Sequence, residues 1–250
     1  IKGKKNMNIF VLHPHNKVSL VQRKLMSTVK EKNVFNIAIE GNFDDCQNLV
    51  KSMFADKEFS KSINMSGVNS INWARIIAQS VYYFYTYFQI KDDRPINFSV
   101  PTGNFGDVYA GYLSKKMGLP INKLIVATNQ NDILHRVLES GIYKIEKVKP
   151  SISPSMDIQV SSNFERALFD IYGQNSELVC ELMHSLKSTK EFELSSVETK
   201  MLQGVFESGM SSEEETSAAI HSIYQDTGML LCPHSAIGVK VALEKNKEQD

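Results

Sequence analysis

The stretch of sequence that decides the fold is NFSVPTGNFGDVYAGY, residues 97–112. The segment from Ile96 to Val100 is short, mostly apolar and bounded by prolines, which predicts a buried strand. A turn with two glycines follows, and a helix is predicted from Val108 to about Met117. A strand that leads through such a turn directly into a helix is typical of α/β domains.

The turn between this strand and helix predicts an anion site. Glycine at Gly103 and Gly106 allows positive φ and lets an anion approach the backbone amides without a Cβ in the way. The first N–H groups of a helix have no internal partners and carry the positive end of its dipole, a geometry that binds phosphate. Thr102 and Asn104 would add side-chain donors, whereas Asp107 is itself an anion and is expected to cap the helix or order the loop. From spacing alone, a purely structural turn is an equal alternative.

Other apolar runs extend the pattern on both sides. Together with 96–100, the segments 8–12, 35–39 and 124–127 are predicted strands, and helical segments separate each from the next. This alternation predicts one sheet of parallel strands. A long helix is predicted at 69–90, with an apolar stripe at helical spacing made of Trp73, Ile77, Val81, Phe84 and Phe88.

The pattern changes after about residue 145. A segment rich in proline and serine is followed by predicted helices at about 162–172, 176–186, 196–207 and 213–225, and from Ser235 onward. We therefore expect an α/β region at 1–145 that contains the glycine turn. Residues 146–250 are expected to be mostly helical and either to complete the large domain or to form a small subdomain.

Composition excludes several classes of protein. Lysine plus arginine equals aspartate plus glutamate at 28 each, which gives no electrostatic case for nucleic acid or an anionic membrane surface. No apolar stretch is long enough for a membrane helix. Cys46, Cys180 and Cys232 are far apart and odd in number, which suits a reducing compartment and argues against a zinc site. The pair His13 and His15 lacks a supporting carboxylate or cysteine cluster, so no metal site is predicted.

Read as a string, VPTGNFGD resembles the phosphate-binding loop of the threonine synthases, which are fold-type-II pyridoxal-phosphate enzymes. Further segments resemble that family in order and spacing: FVLHPHNKVSLVQRKLM, NIAIEGNFDDCQNLVKSMF, NSINWARIIAQSVYYFY and GMLLCPHSAIGVKVALE. The chain departs from the pattern at Ala74, where many relatives have glycine, and at Cys232, where aspartate is common. The resemblance covers nearly the whole chain.

The resemblance implies a twisted, mainly parallel sheet flanked by helices, with a more helical C-terminal region. It implies pyridoxal 5'-phosphate as cofactor of the full-length protein, with its phosphate held by Thr102, Gly103, Asn104, Phe105, Gly106 and Asp107, and a pocket bordered by Asn69, Ser70 and Asn72. These 250 residues alone are expected to bind the cofactor weakly or not at all. The substrate would be O-phospho-L-homoserine, which water converts to L-threonine and phosphate in the cytoplasm. The family's Schiff-base lysine is expected upstream of Ile1, so no residue of this chain is assigned as catalytic. The oligomeric state is left open.

Three other interpretations remain. A threonine-synthase-like phospholyase would cleave phosphothreonine or a similar substrate and would share almost all of this pattern. A non-catalytic homologue would have lost the upstream lysine. A proteolytic core would have no activity of its own. On any of these, the 250 residues alone are expected to be catalytically inert.

Overall fold

The computed structural model describes residues 2–41, 43–90 and 94–247. Contacts divide the chain into two compact units, one ending at Ser66 and the other beginning at Gly67. The predicted boundary near residue 145 falls inside the second unit, and the division at that position stays a prediction. The outer ends of the two predicted regions, residue 1 and residues 248–250, lie outside the described ranges.

The first unit is a small α/β arrangement. Its strands β1 (Ile9–Pro14) and β2 (Val34–Ile39) pair in parallel, with Ile9 opposite Val34. The helices are α1 (Leu20–Ser27), α2 (Phe43–Ala55) and α3 (Lys57–Ser62). Ser19 begins α1 by accepting a hydrogen bond from the N–H of Gln22 at 3.2 Å, a normal N-cap.

The second unit contains a three-stranded parallel sheet in the order β3, β4, β7. Its strands are β3 (Ile96–Pro101), β4 (Ile121–Thr128), β5 (Ile142–Lys144), β6 (Glu191–Glu193) and β7 (Phe206–Met210). The helices are α4 (Trp73–Ile90), α5 (Gly106–Lys116), α6 (Ile133–Ser140), α7 (Phe164–Ile171), α8 (Ser176–Thr189), α9 (Ser196–Val205), α10 (Glu213–Thr227) and α11 (Pro233–Lys247). The remaining two strands, β5 and β6, pair antiparallel.

The mixed α/β class with parallel strands flanked by helices is confirmed, but the prediction of one sheet is wrong. Among the described residues β1 pairs only with β2, and β3 pairs with β4. The other side of β4 is taken by β7, which pairs with it from Leu124↔Phe206 onward. The sequence pattern predicts residue 206 within a helix at about 196–207, because FESGM carries no alternation that would separate it from the preceding helical pattern.

Helix α4 turns a different face to the core from the predicted one. The buried residues are Ile76, Ser80, Tyr83 and Tyr87, whereas most of the predicted stripe, Trp73, Ile77, Val81 and Phe88, is at least 40% exposed. The helix is apolar on more than one face, so periodicity alone does not select the buried one. Tyr83 fits the core side because its hydroxyl donates to the carbonyl oxygen of Asp107 at 2.9 Å.

The described part of the chain contains no helix that combines the length and the apolarity needed to cross a bilayer. Nor do any three His, Cys, Asp or Glu side chains among these residues lie together in a way that could hold a metal ion. Cys46, Cys180 and Cys232 are free thiols.

Candidate functional site

The turn between β3 and α5 presents backbone donors at a helix N-terminus. The first α-helical hydrogen bond runs from the N–H of Tyr109 to the carbonyl of Phe105, at 3.0 Å. The N–H of Gly106 donates to Oδ1 of Asn104 at 3.1 Å. Within the described residues no acceptor is found for the backbone N–H groups of five residues, namely Gly103, Asn104, Phe105, Asp107 and Val108. Free N–H groups at the positive end of a helix dipole form an anion-binding arrangement.

The expectation that the glycines supply positive φ is wrong. Phe105 is the residue in the left-handed region, at φ 65°, and neither Gly103 nor Gly106 has positive φ. Glycine is needed for close packing instead. A Cβ on Gly103 would lie 2.7 Å from the carbonyl oxygen of Ser155, and one on Gly106 would lie 3.2 Å from Ser70 Cβ.

Burial of the aromatic ring holds Phe105 in this unusual conformation. Its side chain is fully buried, with ring centroids 5.2 Å from Phe164 and 5.3 Å from Phe206 in edge-on contacts. Left-handed backbone costs an L-residue about 1–2 kcal/mol. Burying a phenylalanine side chain contributes about 1.5–3 kcal/mol, and the edge-on contacts add to this. The packing of this ring therefore fixes the shape of the loop.

The predicted polar contacts of the loop are mostly used within the protein. Thr102 is buried, and its hydroxyl donates to the carbonyl of Val100 at 2.6 Å. Asn104 donates from Nδ2 to Oγ of Ser70 at 2.8 Å, while its Oδ1 accepts from Gly106. The roles of Thr102 and Asn104 in holding an anion stay predictions, and the free donors of the loop are backbone N–H groups.

Asp107 does not cap α5 through its side chain, which corrects one of the two predicted roles for this residue. Among the described residues its carboxylate accepts no hydrogen bond from the start of α5, where the side chain of Asn104 accepts from the N–H of Gly106 instead. Oδ1 of Asp107 is buried without a hydrogen-bond partner among the described residues. Burial raises the pKa of this carboxyl group above its ordinary value of 3.8. A carboxylate at this position would repel a bound phosphate.

Of the predicted pocket residues, Ser70 is the one that contacts the loop. Asn69 accepts from the N–H of Ile71 at 3.1 Å through its Oδ1. Asn72 donates to the carbonyl of Gly67 at 2.7 Å and accepts from the N–H of Ala74 at 2.9 Å. These bonds form the start of α4, so Asn69 and Asn72 have clear structural roles, and their contact with a substrate stays a prediction.

Sequence reasoning missed two residues that hold the loop from the opposite side. Ser161 donates from its hydroxyl to the carbonyl of Gly103 at 2.8 Å. Asn163 donates to the carbonyl of Asn104 from both its backbone N–H, at 3.0 Å, and its Nδ2, at 3.1 Å. In a trans peptide the C=O and N–H groups point in opposite directions. These bonds therefore turn the N–H groups of Asn104 and Phe105 away from Ser161 and Asn163.

A buried polar cluster at the end of β4 holds the next segment against the loop. Oδ1 of Asp157 accepts from Nδ2 of Asn129 at 2.8 Å and from Nδ2 of Asn131 at 3.0 Å. This fixes the segment that contains Ser155, whose carbonyl leaves no space for a Cβ on Gly103. Only a serine-rich composition signalled this segment in the sequence, where it reads as a plain crossing loop.

Cys232 lies immediately before α11, at a position where the resemblance leads one to expect aspartate. Its sulfur lies 3.5 Å from the N–H of Ser235 and 3.3 Å from the hydroxyl of the same residue. The hydroxyl and the N–H of Ser235 lower the pKa of the thiol below its ordinary value. Cysteine thus accepts hydrogen bonds at a helix start, as aspartate does in N-caps.

A cavity of about 240 Å³ lies elsewhere, beside α5, α7 and α9. Its lining is largely apolar and includes Tyr112, Asp170, Leu202 and Phe206. None of the predicted site residues lines it. The cavity is therefore separate from the candidate site at the loop.

Comparisons with known proteins find threonine synthases and a threonine synthase-like protein. No protein-family model matches the chain. The threonine synthase of Pseudomonas aeruginosa is 52% identical over 240 residues, which cover 96% of the chain and 51% of that protein. Human threonine synthase-like 2 is 37% identical over 246 residues, which cover 96% of the chain and 51% of that protein. A crystal structure of a threonine synthase from Brucella melitensis with bound pyridoxal phosphate superposes with a TM-score of 0.88 at 53% identity, covering 98% of the chain and 53% of that structure. The chain spans about half the length of these relatives.

Proposed function

The chain is a homologue of the threonine synthases over nearly its whole length, and we propose that the protein containing it converts O-phospho-L-homoserine and water to L-threonine and phosphate with pyridoxal 5'-phosphate. Relatives that are 52% and 45% identical to the chain are named threonine synthase, and we therefore favour this reaction over a phospholyase activity. We also propose a cytoplasmic location, since the three free thiols suit a reducing compartment.

The observation that carries the proposal is the set of free N–H groups at the start of α5. Gly103, Asn104, Phe105, Asp107 and Val108 each offer a backbone donor without an acceptor in the described residues. A phosphate monoester dianion needs several such donors, and the helix dipole adds to them. These residues fit the phosphate of pyridoxal phosphate. The Brucella melitensis protein, which has a closely similar backbone, binds this cofactor.

In this proposal the chain binds the phosphate of the cofactor and orients the cofactor ring. The N–H groups of the loop hold the phosphate, and the buried ring of Phe105 keeps the loop in shape, so that the cofactor ring has one position relative to the pocket. Asn69, Ser70 and Asn72 border that pocket. When bound, pyridoxal phosphate supplies an electron sink for loss of protons from the amino acid and departure of its phosphate.

The lysine that bonds to the cofactor is proposed to lie outside these 250 residues. Without it the chain lacks both the covalent attachment and the route for exchanging amino acids. The test compares the 250-residue chain with the full-length protein. Each is incubated with pyridoxal phosphate, reduced with borohydride and digested, and phosphate release from O-phospho-L-homoserine is assayed in parallel.

We expect the full-length protein to carry one lysine-linked pyridoxyl group and to release phosphate, and the 250-residue chain to do neither. A stoichiometric pyridoxyl group on one lysine of the short chain would show that the catalytic lysine is within it. Release of phosphate from phosphothreonine and not from O-phospho-L-homoserine, by a full-length protein with a labelled lysine, would favour the phospholyase. A full-length protein without a labelled lysine would be a non-catalytic homologue.

A further inference from the structure

Arg166 is connected to the anion-binding loop through one intermediate side chain. Its Nε donates to Oδ1 of Asn163 at 2.9 Å. Nδ2 of Asn163 in turn donates to the carbonyl of Asn104 at 3.1 Å. Neither Arg166 nor Asn163 is among the residues assigned above to the phosphate, and among the described residues the guanidinium group makes no direct hydrogen bond to the loop.

This connection fixes the orientation of the Asn163 amide. An arginine side chain can only donate hydrogen bonds, and an asparagine amide has one end that donates and one that accepts. Because Nε of Arg166 faces one end, that end must be the oxygen, and the NH₂ end must then face the carbonyl of Asn104. With the amide reversed, two oxygens would face each other at that carbonyl.

A second contact of Arg166 reaches the turn on the other side of the loop. Nη2 donates to the carbonyl of Ile71 at 3.2 Å, and the guanidinium carbon lies 5.3 Å from the centre of the Trp73 ring. Ile71 adjoins Ser70, which accepts from Nδ2 of Asn104. Arg166 therefore supports Asn104 at two places. Through Asn163 it supports the backbone carbonyl of Asn104, and through Ile71 it supports the turn that the side chain of Asn104 contacts.

We propose that Arg166 is a positioning residue for the phosphate loop. By fixing the amide of Asn163, it keeps the carbonyl of Asn104 turned inward and the N–H of Phe105 turned toward the anion. The loop needs such support because Phe105 is held at φ 65°, a conformation that persists only where its surroundings determine it. This inference rests on the proposed phosphate site and adds to it a residue that does not touch the ligand.

The test measures binding of inorganic phosphate to the ¹⁵N-labelled 250-residue chain, following the backbone amide signals of the loop at constant ionic strength. Arg166→Gln removes the Nε and Nη2 donors. Arg166→Lys keeps the charge but lacks the planar fork. We expect both variants to bind phosphate roughly three- to tenfold more weakly, the effect of losing about one hydrogen bond. The amide signals of Phe105 and Gly106 should also shift before phosphate is added.

Arg136 provides a matched control. It donates from Nε to Asp132 at 2.9 Å and from Nη2 to Gln159 at 3.4 Å, and its Nη1 lies 3.2 Å from the carboxylate of Glu146. Among the described residues it makes no hydrogen bond to the loop. Arg136→Gln removes a similar set of bonds, so we expect a comparable loss of stability with unchanged phosphate affinity. Asn163→Ser tests the same connection from its other end. It removes the intermediate side chain, so phosphate affinity equal to that of wild type would overturn the proposal even should the arginine variants fail to fold.

Each outcome has one meaning. If wild type binds phosphate and Arg166→Gln binds it equally well, the positioning proposal is wrong while the phosphate site stands. Full affinity in Arg166→Lys with loss in Arg166→Gln would assign the effect to charge and would overturn the proposal as well. If wild type binds no phosphate, the proposed site itself is wrong, and Arg166 has no loop to position.

Discussion

The side-chain amide of Asn104 donates a hydrogen bond to the hydroxyl oxygen of Ser70, with 2.8 Å between Nδ2 and Oγ. The other end of the same amide accepts from the N–H of Gly106, the first residue of α5. One asparagine thus joins the phosphate loop to the turn before α4. Because both ends of the amide are used, its orientation is fixed, and the position of the loop depends on Ser70.

Ser70→Ala removes the acceptor for Nδ2 of Asn104. We expect phosphate affinity of the chain to fall roughly three- to tenfold, because the amide that holds Gly106 loses its anchor. Titration with inorganic phosphate measures this. Ser222→Ala is the control, since Ser222 is exposed on α10 and its hydroxyl donates to Asp226 at 3.3 Å, away from the loop. Equal affinities of the two variants and wild type would show that Ser70 does not position the loop.

Gly103→Ala tests the close approach of Ser155. The new Cβ would lie 2.7 Å from a backbone oxygen, so the loop or its neighbour must move. We expect a loss of about 1–3 kcal/mol in the free energy of unfolding, together with weaker phosphate binding. At Gly204, within α9, a Cβ meets nothing within 4 Å. Gly204→Ala is therefore expected to stabilise the chain by about 0.5–1 kcal/mol. Urea unfolding measures the free energy of unfolding of both variants. Stabilisation by both substitutions would contradict the close approach of Ser155 to Gly103.

At position 105 we expect the glycine variant to be more stable than the alanine variant, which is the reverse of the usual order in helices. Either replacement loses about 3–5 kcal/mol of packing against Phe164 and Phe206. Glycine, however, is free of the penalty for φ 65°, so Phe105→Gly is expected to be more stable than Phe105→Ala by about 1 kcal/mol. Phe164, at the start of α7, has no positive φ, and there the alanine variant should be the more stable. Urea unfolding of the four variants measures both differences. The same order at both positions would rule out the left-handed conformation of Phe105.

Asp107→Asn should change how stability depends on pH. Burial raises the folded-state pKa of this carboxyl above 3.8, so the folded chain holds the proton more tightly than the unfolded chain does. The stabilisation from this proton is present below pH 3.8 and is lost as pH rises through the raised value. Asparagine does not ionise, so the variant should gain stability relative to wild type across that window and bind phosphate more tightly above it. Unfolding measured from acidic to neutral pH tests this, with the exposed Asp226→Asn as control. A difference between Asp107→Asn and wild type that does not vary with pH would contradict the assignment.

The sequence predicted the parts of the site that depend on local pattern. The position of the loop between β3 and α5 followed from an apolar run, a glycine turn and a helix start. The left-handed residue could not be predicted, because glycine is the usual choice and Phe105 is held only by the distant rings of Phe164 and Phe206. The support from Ser161 and Asn163 was missed for the same reason, since it consists of contacts between segments far apart in sequence.

The secondary-structure errors have a related cause. The strand β7 is defined by its pairing with β4 and not by its own residues. The buried face of α4 is chosen by what packs on it, because the helix is apolar on more than one face. Local sequence specifies that these segments are ordered, and tertiary packing decides in which form.

The central claim is that the N–H groups at the start of α5 hold the phosphate of pyridoxal phosphate. The most direct measurement is a crystal structure of the full-length protein with this cofactor. We predict that the phosphate oxygens lie within hydrogen-bonding distance, about 2.7–3.2 Å, of the backbone nitrogens of the loop from Gly103 to Asp107. A cofactor phosphate bound at any other segment, with these N–H groups facing water or protein, would contradict the account.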